Sequence, residues 1–175
     1  HGFEYIFKSS FDKANRTSVD SYRGPGLDKG LDILKSVKQV TAKVLTDIHT
    51  PQQAEPVGQV VDIIQIPAFL CRKTDLLISA AKTGKVVNVK KAQFLSAQKM
   101  KYVVDKIKST GNDNIMLTER GTMMGTDDLI VDFRNIIEMK KFNVPVIMDC
   151  THSCQKYSPG ETTSGASYFA PYFAL

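Results

Sequence analysis

Short apolar runs rich in β-branched and aromatic residues recur along the chain, at Phe3–Lys8, Lys43–Asp47, Val61–Ile66, Lys85–Lys90, Asn114–Glu119 and Val144–Asp149. Each is bounded by Gly, Pro, Asn or Ser, the composition and punctuation of strands. Between them the period changes. Met100, Val103, Val104 and Ile107 fall at i, i+3, i+4, i+7 with Lys99, Lys101, Asp105 and Lys106 off the stripe, which predicts an amphipathic helix. Ser96 precedes that helix as a candidate N-cap, and Gly111 follows it where a left-handed C-terminal cap is expected. Leu27, Leu31 and Leu34 form a second stripe, and Ile130, Phe133 and Ile137 a third. The segment 51–58 is short, and Pro56 limits any helix there.

Strands alternating with helices predict βα units on a parallel sheet, because parallel neighbours need a crossover. Six units fit an open doubly wound sheet or part of a (β/α)8 barrel. The first strand runs into Lys8-Ser-Ser-Phe-Asp-Lys13, not into the glycine-rich phosphate loop typical of an open nucleotide-binding sheet. The expectation is an α/β fold, a (β/α)8 barrel that is incomplete here, forming a single partial domain over residues 1–175. A whole barrel takes about 250 residues. The strand-like start at His1 and the apolar end at Tyr168–Leu175 are read the same way, as an internal piece of a longer protein.

Composition narrows the function. At 42% hydrophobic and 23% charged, the chain is globular in character, and no apolar stretch approaches the ~18 residues of a membrane-spanning helix. Three cysteines (Cys71, Cys150, Cys154) are too few for a disulfide scaffold, so a cytoplasmic location is expected. The net charge of +5 comes without a basic run or interleaved aromatic residues, which disfavours nucleic acid and suits small anionic substrates.

The functional face of a parallel barrel is the carboxyl end of its strands. Here those ends carry Lys8 and Ser10; Asp47 and His49; Gln65; Asn88, Lys90 and Lys91; Glu119 and Arg120; Asp149 and His152. The strand period of two puts Ile6, Lys8 and Ser10 on one face of their strand, and likewise Val86, Asn88 and Lys90 on one face of theirs. A strand-end lysine is ordinarily a solvated rim charge, but six successive strands ending this way predict a site. Lys8, Lys13, Arg16, Lys90 and Arg120 together suit a ligand set with more than one phosphate or carboxylate. Lys90 is also a candidate Schiff-base lysine. The Cys150-x-His152-x-Cys154 spacing lacks the second ligand pair of a structural zinc site, and Cys71 and Cys150 read as small buried hydrophobes.

In order, Phe7-Lys-Ser-Ser-Phe-Asp-Lys-Ala-Asn-Arg-Thr-Ser18, Ser21-Tyr-Arg-Gly-Pro-Gly26, Thr46-Asp-Ile-His49, Asp62-Ile-Ile-Gln-Ile-Pro-Ala-Phe-Leu70, Asn88-Val-Lys-Lys-Ala-Gln-Phe94, Thr118-Glu-Arg-Gly121, Leu129-Ile-Val-Asp132, Pro145-Val-Ile-Met-Asp149 and Thr151-His152 resemble the 3-deoxy-D-manno-octulosonate 8-phosphate synthases. The resemblance covers nearly the whole chain and would make it the second to seventh barrel strands. Lys13-Ala-Asn-Arg-Thr17 is its most specific element, since the related 3-deoxy-heptulosonate 7-phosphate synthases, which use erythrose 4-phosphate, typically carry Lys-Pro-Arg-Thr there. The resemblance implies condensation of phosphoenolpyruvate with arabinose 5-phosphate, in lipopolysaccharide or cell-wall sugar biosynthesis. A homotetramer is implied too, with no nucleic-acid or membrane partner.

Carried over residue by residue, Lys90 and Arg120 resemble the clamps on phosphoenolpyruvate, with Lys8, Ser10, Gln93 and the Ala68 backbone nearby. Lys13 resembles the group that polarises or protonates the aldehyde oxygen. Asn15 looks like a sugar-hydroxyl contact, and Arg16 and Thr17 like the sugar-phosphate anchor. Asp47, His49 and Gln65 resemble the polar floor near the aldehyde. His152 resembles the family's metal-ligand histidine, so the implied cofactor is either none or one divalent metal. Two loops depart from the family pattern. Met124-Gly-Thr126 replaces a Phe-Gly-Tyr-like triplet, and Ser164-Gly-Ala166 is followed by Ser167 instead of an element with Arg. The alternatives are the heptulosonate synthase, a Schiff-base aldolase using Lys90, and an inactive phosphosugar-binding paralogue.

Overall fold

Five of the strand-like runs and the N-terminal one pair side by side in chain order. The computed structural model describes residues 4–40, 43–125 and 128–154 together with Tyr172. Its strands β1 (Ile6–Lys8), β2 (Lys43–Asp47), β3 (Ile63–Ile66), β4 (Val86–Lys90), β5 (Ile115–Glu119) and β8 (Val146–Met148) form one sheet in the order β1-β2-β3-β4-β5-β8. Every neighbouring pair is parallel. The two remaining strands, β6 (Thr122–Met123) and β7 (Leu129–Ile130), make a small antiparallel hairpin after β5. Helices α1 (Leu27–Lys38), α2 (Ala54–Gly58), α3 (Thr74–Lys82), α4 (Met100–Lys108) and α5 (Arg134–Lys140) are the crossovers, and α6 (Cys150–Ser153) follows β8. The curled parallel sheet with its helices is an incomplete (β/α)8 barrel, with β1 and β8 as its outer strands.

Strand parity divides the structure into two layers. Val44, Ile64, Ile66, Val87, Val89, Ile115 and Leu117 point to the helices and are buried with Leu31, Leu34, Leu76, Leu77, Met100, Val103, Val104 and Ile107 in one continuous core. The opposite face carries Lys8, Asp47, Gln65, Asn88 and Lys90, so the polar groups collect inside the curve. The predicted stripe of α4 is fully buried, and that of α1 holds at Leu31 and Leu34. Gly111 takes φ 86 after α4, as expected of a left-handed cap. Ser96 flanks the short 3-10 turn Ala97–Lys99 that leads into α4, without a side-chain cap bond.

The third stripe is corrected. Ile130 lies in β7, outside α5, and Ile130, Phe133 and Ile137 are 55%, 57% and 63% exposed, while α5 buries Met139 instead. Periodicity locates a helical face but does not say which face the rest of the protein covers. Cys71 is buried as expected, but Cys150 is only half-buried, at the start of α6. The altered loop at 164–167 and Tyr168–Leu175, Tyr172 apart, lie outside the described residues.

One close approach fixes where the first loop enters the site. Gly30 on α1 faces Phe11, whose side chain is 2% exposed, and a Cβ built on Gly30 would stand 2.3 Å from the Phe11 Cβ. Gly30→Ala is therefore expected to destabilise the protein by about 1–3 kcal/mol, although alanine has the higher helix propensity by about 1 kcal/mol. Thermal denaturation checks this, and an unchanged or raised melting temperature would contradict it.

Candidate active site

The loop after β1 is pinned at its foot and free at its tip. Phe11 plugs the core beside α1, Gly26 N–H donates to the Phe11 carbonyl (3.1 Å), and Lys13 N–H donates to the Arg23 carbonyl (2.6 Å). Arg23 also grips Asp12 with two hydrogen bonds, Nε to Oδ1 at 2.9 Å and Nη2 to Oδ2 at 2.5 Å. Beyond this foot Lys13, Asn15, Arg16 and Thr17 are exposed to a cavity of about 350 Å³ at the carboxyl ends of the strands.

That cavity brings the expected residues together. Lys8, Ser10, Lys13, Asn15, Arg16 and Thr17 line it from the β1 side, Asp47, His49, Gln65 and Ala68 from β2 and β3, and Lys90, Arg120 and His152 from the far side. Gln93 does not reach it. Its buried side chain instead accepts from Arg120 Nη1 at 3.0 Å, which makes it a support for the arginine. Asp12, Pro67 and Phe69 join the lining without having been marked by strand-end position. Met124 and Gly125 are exposed in the β6–β7 hairpin and do not line it.

Carboxylates separate the cations. Lys90 donates to Asp149 Oδ2 and approaches His152 Nδ1 at 3.3 Å, and Asp149 Oδ2 lies 2.8 Å from His152 Nδ1. Asp149 Oδ1 accepts the His152 backbone N–H (3.0 Å), so one carboxylate caps α6 and fixes both side chains. Asp149, at a strand end, carried no expected role, yet it links Lys90 to His152. Burial opposes its charge, yet His152 and Lys90 overcome that and hold its carboxyl well below the usual range. Burial pulls the Lys90 ammonium downward, Asp149 pulls it back, and Arg120 and Lys8 add to the depression. Lys13 is lowered by burial first and then by Lys8 and Arg16, against Asp47, while its Nζ donates to Ser10 Oγ at 2.9 Å.

The floor is a second polar group. His49 Nε2 is 3.2 Å from Asp47 Oδ2, and the His49 ring sits edge-on to Phe11 with centroids 6.1 Å apart. Burial raises the Asp47 carboxyl, but His49, Ser10 and Lys8 outweigh it and leave it lowered. Gln65 is oriented by its neighbours on the inner face: Thr118 Oγ1 donates to Asn88 Oδ1 (2.8 Å) and Asn88 Nδ2 to Gln65 Oε1 (3.3 Å). The carbonyl of Gln65 is thus engaged, which leaves its NH₂ as the end available to a ligand.

A metal finds little here. No three His, Cys, Asp or Glu side chains converge among the described residues, and the carboxylate beside His152 is already engaged by Lys90. The described residues do not make up a donor set on their own. No helix among the described residues is long and apolar enough to cross a membrane.

Fold and site together define an incomplete parallel barrel with cations from separate strands around one cavity. Comparison with known proteins gives the family: the model described as the DAHP synthetase I family matches residues 1–164, and the chain belongs to that family. The chain is 55% identical to the 2-dehydro-3-deoxyphosphooctonate aldolase of Fusobacterium nucleatum over 94% of its own length and 60% of that protein. It is 54% identical to the protein of that name from a Synechococcus strain (99% and 62% covered) and 56% identical to that of Pisum sativum (89% and 54% covered). The chain thus spans about three fifths of the length of these relatives.

The depressed Asp149 carboxyl gives a signed pH prediction. Its ionised form contributes stability that is full above about pH 5 and is lost progressively as pH falls through and below the unfolded carboxyl's pKa of about 3.9. Asp149→Asn leaves Lys90 unpaired and is expected to cost about 3 kcal/mol at neutral pH. The gap to wild type should narrow below about pH 5. Denaturant titrations across pH check this, and equal stability at neutral pH would contradict it.

Proposed function

We propose that the protein carrying this chain condenses phosphoenolpyruvate with D-arabinose 5-phosphate and water, giving 3-deoxy-D-manno-octulosonate 8-phosphate and inorganic phosphate. The observation that carries this reading is the single cavity shared by Lys8, Lys13, Arg16, Lys90 and Arg120, with acids placed beside them. The names of the relatives and the Lys13-Ala-Asn-Arg-Thr17 element support the octulosonate over the heptulosonate reaction.

In this reading Lys90 and Arg120 hold the phosphate and carboxylate of phosphoenolpyruvate, with Lys8 and Ser10 beside them. Arg120 offers a fork and Lys90 a point charge. Arg16 and Thr17 hold the sugar phosphate some distance away on the same loop, and Asn15 and Gln65 meet the sugar's hydroxyls. The aldehyde then lies between the two anions, next to Lys13 and above Asp47 and His49. The enol carbon attacks the aldehyde carbon, and the new alkoxide takes a proton from Lys13. Water adds at the adjacent carbon, and phosphate departs with cleavage of its C–O bond. Positioning and charge stabilisation supply most of the rate. The family resemblance implies that the Arg16 segment reaches into a neighbouring subunit, so a homotetramer is part of the same proposal, as is a cytoplasmic setting.

Phosphate release from phosphoenolpyruvate should require a sugar phosphate, with kcat/KM at least ten-fold higher for arabinose 5-phosphate than for erythrose 4-phosphate. The reverse preference would assign the heptulosonate reaction, and binding of both substrates without turnover would assign a non-catalytic paralogue. Lys13→Met is expected to lower kcat by about 100-fold or more while phosphoenolpyruvate affinity changes little. Because the Lys13 ammonium is lowered, the wild-type rate should fall on the alkaline side below the ordinary lysine pKa of about 10.4. A rate flat to about pH 10 would contradict the donor role.

A further inference from the structure

Two strand-end charges are not used by the cavity. Lys91 and Glu119 follow the opposite parity from Lys90 and Thr118, so they lie between sheet and helices, and both side chains are 0% exposed. Lys91 Nζ is 3.5 Å from Glu119 Oε1. The same ammonium donates to the carbonyls of Ala92 (3.3 Å), Leu95 (3.3 Å) and Gly121 (3.2 Å) and contacts Thr122 Oγ1 at 3.2 Å. Glu119 Oε1 accepts the backbone N–H groups of Arg120 (3.1 Å) and Gly121 (2.7 Å).

These bonds join the two loops that carry the phosphate clamp. Ala92 and Leu95 flank Gln93, which holds Arg120 Nη1 and whose carbonyl accepts the Met123 N–H at 2.9 Å. Gly121 turns at φ 96, and a Cβ there would meet the Leu129 Cβ at 3.0 Å, so the chain after Arg120 has little freedom. Burying two charges without water costs several kcal/mol per ion before pairing, and apolar side chains of like size are commonly no less stable there. Glu119 Oε2 moreover has no hydrogen-bond partner among the described residues. Stability alone gives little reason for such a pair, whereas control of geometry does: it sets the spacing between Lys90 and Arg120 from behind.

We propose that Lys91, with Glu119, is a positioning residue for the phosphoenolpyruvate clamp, acting through the backbone of the Ala92–Leu95 and Arg120–Thr122 loops on Arg120. The inference rests on the ligand assignment proposed above. It is tested by calorimetric titration of the protein carrying this chain with phosphoenolpyruvate and, separately, with arabinose 5-phosphate. Lys91→Met should weaken phosphoenolpyruvate binding at least ten-fold and change arabinose 5-phosphate binding less than two-fold. The double variant Lys91→Met/Glu119→Gln removes the unpaired buried charge and should regain thermal stability without regaining phosphoenolpyruvate affinity. Asp62→Asn, which breaks the Lys38–Asp62 pair at the amino ends of the strands, away from the cavity, should leave both affinities unchanged. Unchanged phosphoenolpyruvate affinity in Lys91→Met, equal weakening of both ligands, or affinity that returns with stability in the double variant would each overturn the positioning role. Wild-type protein that fails to bind phosphoenolpyruvate would overturn the ligand assignment, and this inference with it.

Discussion

Like charges repel, and everything in this site follows from holding several of them together. Lys8, Lys13, Arg16, Lys90 and Arg120 face one cavity with a low-dielectric core beneath, where their mutual repulsion is screened less than in water. The strands answer with carboxylates at matched positions: Asp149 against Lys90, Asp47 near Lys8 and Lys13, and Glu119 against the hidden Lys91. The depressed lysines record what repulsion and burial remain after that compensation. A doubly anionic ligand pair would complete it. In the proposed reaction that field would supply both affinity for the anions and stabilisation of developing charge.

The barrel supplies this arrangement through parity. Adjacent residues on a strand point to opposite sides, so Lys90 enters the cavity while Lys91 enters the layer under the helices. The same alternation puts Asp47, Gln65 and Asn88 inside and Thr46, Ile64 and Val87 outside. Parallel pairing then brings residues far apart in sequence to one rim, and the loop after β1 adds Lys13 and Arg16 because Phe11 fastens its foot to the core.

The strands were legible because their apolar runs are short, β-branched and bounded by turn residues; β2 matches its expected limits and the other five begin or end within three residues of theirs among the described residues. The cavity was legible because the carboxyl ends of parallel strands lie along one edge of the sheet, although parity turns Lys91 and Glu119 away from it. What escaped depends on tertiary packing. The Ile130, Phe133 and Ile137 stripe is apolar and periodic yet exposed, and α3, with Leu76, Leu77, Ala80 and Ala81 buried, carries a face that no marked stripe announced. Gln93 and Arg120 read alike as substrate contacts, and only the 3.0 Å bond between them shows that one supports the other. Asp149 could be placed at a strand end, but its grip on both Lys90 and His152 is a matter of three-dimensional reach.

The claim that cations from distant strands grip two anions at one rim is met most directly by a crystal structure of the protein with phosphoenolpyruvate bound. The ligand is expected between Lys90 and Arg120, each within hydrogen-bonding distance of its phosphate or carboxylate, with its enol carbon turned toward Lys13. Phosphoenolpyruvate bound elsewhere, or held at this rim by only one of those two side chains, would contradict it.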